Sequence, residues 1–346
     1  MITNILIFIG VLAVVVLVHE WGHFFAARKF GMFVKEFGFG FPPRLWGKKK
    51  GETMWSVNAI PLGGFVHIAG EDGETLGQDQ KNAIPPHRFF SAKPAWQRAI
   101  VLAAGVTMNF LLGWLLFSIV FAVGATGSVV VSSVGQGTPA DVAGLREGDV
   151  IEGFESLDAF LSYIADHKGR EISLAVLQGG ERHEIVLTPR QEVPEGEGPL
   201  GVGVVFGGFE RMSVWDAVWG ALLYSAQIFS LIFVLLFKLI ASIFGGANIL
   251  QNLSGPVGIY QATAQASGLG IVYLLNIVAL ISVNLAAINI FPFPALDGGR
   301  IVFLGLEKLK GSSISIRTQQ IVNASGFFLM IALLIYITAQ DVWRLF

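Results

Sequence analysis

The chain has 346 residues, 53% of them hydrophobic and only 14% charged, with a mean hydropathy of +0.64. That is more apolar surface than a soluble globule of this length can hide, so the composition excludes a simple soluble domain and indicates an integral membrane protein. The net charge of −2 gives no sign of a nucleic-acid partner, and the absence of cysteine excludes disulfides and thiolate ligands, leaving His and carboxylate as metal donors.

The first apolar segment, Ile2 to Ala27, is long enough to cross a hydrocarbon core of about 30 Å. It lacks a basic start and a small-residue cleavage site, so it is expected to be retained rather than removed as a signal peptide. Inside it, His19-Glu20-Trp21-Gly22-His23 places three ionisable side chains at membrane depth. Comparable ionised groups cost about 2.5–3.5 kcal/mol there, which makes the cluster a functional-site candidate before it is a packing feature. A spacing of four puts His19 and His23 one turn apart on one helix face, where two imidazole nitrogens can hold one Zn²⁺ while Glu20 projects beside them as general base.

Between Arg28 and Arg98 there are eleven Lys/Arg against six Asp/Glu, including the run Lys48-Lys49-Lys50. After the second apolar stretch, Ala99 to Val123, the region Thr126 to Met212 has six Lys/Arg against fourteen Asp/Glu. Basic loops stay in the cytoplasm. The first helix therefore ends inside, the acidic region lies outside, and the two histidines sit toward the cytoplasmic end of their helix. The basic run also reads as a contact to lipid headgroups.

The basic segment alternates β-formers with glycines, from Phe37-Gly38-Phe39-Gly40-Phe41 to Pro61-Leu62-Gly63-Gly64-Phe65-Val66-His67-Ile68. An exposed strand edge at Gly63, Gly64 and Phe65 would offer β-addition to an unwound substrate chain. The acidic region predicts a compact α+β module: Val129 to Val131, Val150-Ile151, a helix around Leu157 to Ile164, and strands over Ile172 to Leu177 and His183 to Leu187. Gly196 to Gly208 reads as a linker and edge strand. Gly137-Thr138-Pro139-Ala140 through Gly148-Asp149-Val150-Ile151 looks like the core of a bacterial PDZ domain. The usual Asn-Gly turn is missing after Ile151, so the module is expected to act either as a peptide binder or as a steric filter.

Beyond it, Val214 to Phe244, Ile271 to Phe291 and Ile321 to Ala339 are apolar. Two histidines leave a catalytic zinc one protein ligand short, and Asp297 is the candidate third. It follows Asn289-Ile290-Phe291-Pro292-Phe293-Pro294-Ala295-Leu296 and precedes Gly298-Gly299, so prolines break the helix and glycines let the carboxylate turn toward a neighbour. One zinc can join Asp297 to the histidines only if Val214 to Phe244 lies in the interface or forms a re-entrant hairpin, turning near Gly245-Gly246. His67, His87, His167 and His183 have no ligand-like partners nearby and read as surface or satisfied residues.

Taken together, His19-Glu20-x-x-His23, Asn289-x-x-Pro292-x-Pro294-x-x-Asp297-Gly298-Gly299, Ser254-Gly255-Pro256 and the PDZ-like insert resemble the site-2 protease family (peptidase family M50). The similarity is greatest to the bacterial regulator of sigma-E protease branch and covers essentially the whole chain. That branch often carries two PDZ modules where this insert has room for one, and Val106 stands where Ala104-Gly105-x-x-x-Asn109 commonly has proline.

The resemblance implies a zinc metalloendopeptidase of the bacterial cytoplasmic membrane, with its active site toward the cytoplasm. Its substrates would be single-pass membrane proteins such as anti-sigma factors or remnant signal peptides, already shortened outside by another protease. The metal ligands would be His19, His23 and Asp297; Asn289 and Asn109 would be oxyanion or substrate-positioning residues. The implied fold is a polytopic α-helical membrane protein of about four transmembrane helices, with a membrane-associated β-hairpin layer on the cytoplasmic side and one extracytoplasmic PDZ-like domain. Its layout is a first span at 1–27, the hairpin region at 28–97, a second span at 98–124, the PDZ-like domain at 125–208, an interfacial or re-entrant segment at 209–268, and the last two spans at 269–346. The rival from another class is a catalytically idle scaffold that binds partners through the PDZ-like module; a metal transporter would spread its ligands along a path, and here they cluster at one level.

Overall fold

The computed structural model describes residues 2–71, 84–179, 181–194, 197–209, 211–245 and 255–343. Gly196, Gly246 and Ser254, singled out in the sequence, lie outside them. In chain order the elements are α1 (Ile2–Lys29), β1 (Val34–Lys50), β2 (Thr53–Ile68), α2 (Ala95–Val123), β3 (Ala125–Val134), α3 (Pro139–Val142), β4 (Val150–Ile151), α4 (Leu157–Asp166), β5 (Ile172–Gln178), β6 (Glu181–Leu187), β7 (Val202–Phe209), α5 (Val214–Gly245), α6 (Pro256–Leu269), α7 (Ile271–Ile290), α8 (Asp297–Lys310) and α9 (Ile316–Trp343).

Among the described residues five helices, α1, α2, α5, α7 and α9, are long and apolar enough to cross a membrane. The sequence expects about four, with the 214–244 stretch set apart; in the structure that stretch belongs to one unbroken helix, α5. Such helices are apolar on every side because lipid as well as neighbouring helices must be matched. α1 ends with Arg28 and Lys29 in its last turn, where cations complement the exposed carbonyls, and Gly31 then turns the chain at φ 68°. α7 stops before Phe291-Pro292, since proline has no N–H to continue the ladder.

The chain divides into two units, one of residues 1–117, 221–261 and 277–346, the other of residues 118–220 and 262–276. In the first unit β1 and β2 form an antiparallel sheet that folds over itself. The Glu36–Phe39 segment of β1 pairs on one side with Gly64–His67 and on the other with Met54–Val57, which in turn faces Trp46–Lys49. The strip 64–68 is thus an edge among the described residues. Trp21, Phe24, Phe37 and Trp55 pack ring to ring and fasten this sheet to α1. At its turn, Glu52 accepts two hydrogen bonds from Arg88, at 2.8 and 2.7 Å, and one from Arg28. α5 runs antiparallel along α2, with ring pairs Phe117–Tyr224 and Phe110–Phe229, and reaches Phe291 through Phe233 and Phe237.

The second unit is built on a five-stranded antiparallel sheet of order β6-β5-β4-β3-β7. Alternate residues of its strands, among them Val129, Val131, Leu174 and Val176, bury against Phe160 and Ile164 of α4. Thr138 and Ser156 cap α3 and α4 by accepting from Asp141 N and Ala159 N. β7 lies at the end of the sheet order, beside β3.

Candidate metal centre

His19 and His23 stand one turn apart on α1, both buried. Asp297, the first residue of α8, meets them from the far end of the sequence. Its Oδ2 is 3.2 Å from His19 Nε2 and 3.3 Å from His23 Nε2, and the two Nε2 atoms are 3.1 Å apart. Among the described residues these three form the one group of His and carboxylate side chains able to share a metal ion.

The chemistry of the triangle fits zinc. His23 Nδ1 donates to the Val101 carbonyl at 2.8 Å, so Nε2 carries the free lone pair. Asp297 Oδ2 is buried with no hydrogen bond reaching it, an orphaned acceptor facing the two histidine nitrogens. Donors 2.0–2.1 Å from a tetrahedral zinc lie about 3.3–3.4 Å from one another, close to the separations found here.

Two close approaches build the triangle. Gly22 and Gly105 let α1 and α2 meet backbone to backbone: a Cβ at Gly22 would come within 2.4 Å of the Ala104 carbonyl, and one at Gly105 within 2.4 Å of His23 Nε2. Any side chain at 105 would therefore occupy the space beside the donors. After α7, the chain turns through Phe291-Pro292-Phe293-Pro294-Ala295, with Ala295 at φ 74°, a region costing roughly 1–2 kcal/mol for a residue with a Cβ. Asn323 of α9 holds that turn by accepting from Ala295 N at 3.2 Å. Cβ atoms at Gly298 and Gly299 would collide with the carbonyls of Ile290, Phe291 and Phe293, so these two glycines let the first turn of α8 seat against the end of α7 and deliver Asp297.

Glu20 is half-buried beside His19, and β2 crosses its stem: a Cβ at Gly64 would lie 3.0 Å from Glu20 Cγ. Phe65 packs its ring over Gly38 and stacks against His67, while Gly63 lies against the ring of Phe41. Asn289, near the end of α7, points its Nδ2 at His19 Nε2 from 3.4 Å, on the side where the donors converge. Asn109 is different. It is fully buried on α2, with Nδ2 3.4 Å from His19 Nδ1, on the opposite side of the ring. Of the other histidines, His167 bonds the Tyr163 carbonyl through Nδ1, and His183 is exposed.

Sequence reasoning missed the Val101 carbonyl and Asn323. A backbone carbonyl carries no residue signature, but an asparagine inside the apolar α9 was a visible signal.

A model of peptidase family M50 matches residues 7–333. The zinc metalloprotease RasP of Shouchella clausii is 30% identical over 99% of this chain and 99% of its own length. The regulator of sigma-W protease RasP of Bacillus subtilis is 28% identical over 100% of this chain and 99% of its own. A putative zinc metalloprotease of Nostoc sp. is 34% identical over 99% and 96%.

Proposed function

Because the chain belongs to peptidase family M50, we propose that it is an intramembrane zinc metalloendopeptidase that hydrolyses peptide bonds of single-pass membrane proteins. The observation that carries this reading is the convergence of His19 Nε2, His23 Nε2 and Asp297 Oδ2 within 3.1–3.3 Å of one another, with Glu20 beside them. These three would hold zinc, which when bound supplies Lewis-acid polarisation and makes water a nucleophile near neutral pH. Glu20 takes the proton of the attacking water and passes it to the leaving amine nitrogen. The Asn289 amide, aimed at the same space, donates to the carbonyl oxygen as negative charge develops there.

A helical substrate has its carbonyls already hydrogen-bonded, so it must unwind before it is cut. The 64–68 edge of β2, running past Glu20, suits an extended chain added as a further strand. The substrates we assign are single-pass segments such as anti-sigma factors or remnant signal peptides; the sigma-W regulator among the relatives supports the first class. The 125–208 module, PDZ-like in sequence, would bind peptide or exclude bulky extracytoplasmic domains.

Contacts within the first unit support a path of the chain through the membrane. α5 descends beside α2 until Phe233 and Phe237 reach Phe291, near the metal loop. Asn323 is level with that loop, and Asp341 lies eighteen residues further along α9, about 27 Å away. Gly255 N and Gly258 N bond to Asp341, so α6 starts beside that far end of α9. This arrangement supports a reading in which α7 brings Asp297 to the depth of the histidines, toward the cytoplasmic side that the basic 28–98 region indicates.

The test is cleavage of a tagged single-pass substrate in proteoliposomes by the wild type and by Glu20→Gln. Cleavage by the wild type alone, with zinc retained in both, is expected. A wild type that binds zinc and cuts no shortened substrate would favour the idle scaffold.

A further inference from the structure

The two histidines of the centre are backed unequally. His23 has a carbonyl behind it, the 2.8 Å contact from Nδ1 to Val101 O. Behind His19 stands the side-chain amide of Asn109, 3.4 Å from Nδ1, and the Oδ1 of that amide has no hydrogen-bond partner. Building on the metalloprotease reading, we propose that Asn109 is a positioning residue: its carboxamide oxygen accepts the Nδ1–H of His19, fixing the tautomer and rotation that turn the Nε2 lone pair toward Asp297 and His23.

Three observations converge on this role. First, Asp297 Oδ2 and His23 Nε2 converge on His19 Nε2, so a ring that shares a metal with them keeps its lone pair on Nε2 and carries its proton on Nδ1. Second, a proton on Nδ1 needs an acceptor, and a half-turn of the Asn109 amide, whose nitrogen and oxygen are nearly isosteric, presents its orphaned oxygen there. Third, Asn109 is anchored for the task. Its backbone carbonyl accepts from the buried hydroxyl of Ser282 on α7 at 2.8 Å, which fixes the backbone that carries the amide. With no exposed surface, and standing on the side of the ring away from the converging donors, Asn109 touches neither substrate nor the reacting atoms.

The experiment measures zinc affinity by competition with a chromophoric chelator, using full-length detergent-purified wild type, Asn109→Leu and Asn109→Asp. Co²⁺ absorption spectra and the melting temperature of the metal-free protein accompany it. Asn109→Leu, which has no acceptor, is expected to weaken zinc about 10–100-fold and to change the Co²⁺ spectrum at an unchanged metal-free melting temperature. Asn109→Asp, which keeps an acceptor oxygen, is expected to restore affinity to within a few-fold of wild type. Wild-type zinc affinity in Asn109→Leu overturns the proposal, as does an Asn109→Asp protein as weak as Asn109→Leu. A wild type that binds no zinc overturns the metalloprotease reading itself, a distinguishable result.

Discussion

Glu20 on α1 and Gly64 on β2 are packed so closely that a Cβ at position 64 would lie 3.0 Å from Glu20 Cγ and equally near Val16 Cγ1. The strand edge proposed for substrate and the proposed general base are thereby one assembly. Gly64→Val must push either the glutamate stem or the strand aside. We expect cleavage to fall about 100-fold, the scale of an ångström misplacement of a catalytic group, while bound zinc stays at the wild-type level. Both are read on the same preparation, and undiminished cleavage would separate β2 from the chemistry.

Gly105 is required by the metal centre for a different reason. An alanine there places its Cβ 2.4 Å from His23 Nε2 and 2.8–2.9 Å from the His19 ring, so the donors cannot keep their triangle. Gly105→Ala is expected to lose zinc affinity by at least about 10-fold, measured by chelator competition.

At the hairpin turn, the hydrogen bonds of Arg88 hold the Glu52 carboxyl below its ordinary value, with the charges of Arg88 and Arg28 adding to them. A depressed folded value means that Glu52 stabilises the folded hairpin fully above the unfolded glutamate value of about 4.3 and loses that contribution as pH falls through the lower folded value. The protection of residues 34–68 against hydrogen exchange, taken relative to the intrinsic rate at each pH, is therefore expected to be level from neutrality to about pH 5 and to fall in more acidic solution. In Glu52→Gln the protection should be lower at neutral pH and lack that step. An acid response identical in the variant would assign it to other groups.

Asp341, buried in the last turns of α9, accepts from Gly255 N at 2.8 Å and Gly258 N at 3.1 Å. It caps α6 from another helix, and it explains the small residue in the Gly255-Pro256 pair, since a Cβ at 255 would press on its Oδ2. Asp341→Ala is expected to cost about 1–2 kcal/mol, seen as faster exchange over 256–261 with zinc unchanged.

What was legible in the sequence was what periodicity and chain-breaking residues encode. His19 and His23 declare themselves by a spacing of four in an apolar helix, and Asp297 by the proline and glycine run around it. The strands and helix of the 125–208 module follow from alternation and turn residues. What was not legible depends on which backbone atom a distant side chain meets: the Val101 carbonyl behind His23, Asn323 under the strained Ala295, and Asp341 over the α6 N-terminus. Asn109 illustrates the boundary. Its polarity marked it as relevant, but only packing placed it behind His19 rather than among the converging donors. Likewise, the composition of α5 fixed its apolarity and left its course beside α2 to tertiary contacts.

The most direct test is zinc stoichiometry and affinity in the purified full-length chain, wild type beside Asp297→Ala. One zinc per wild-type chain is expected, and in the variant a loss of affinity greater than the about 10–100-fold that removal of an outer hydrogen-bond partner causes. Equal zinc binding in the two proteins would contradict a centre assembled from α1 and α8.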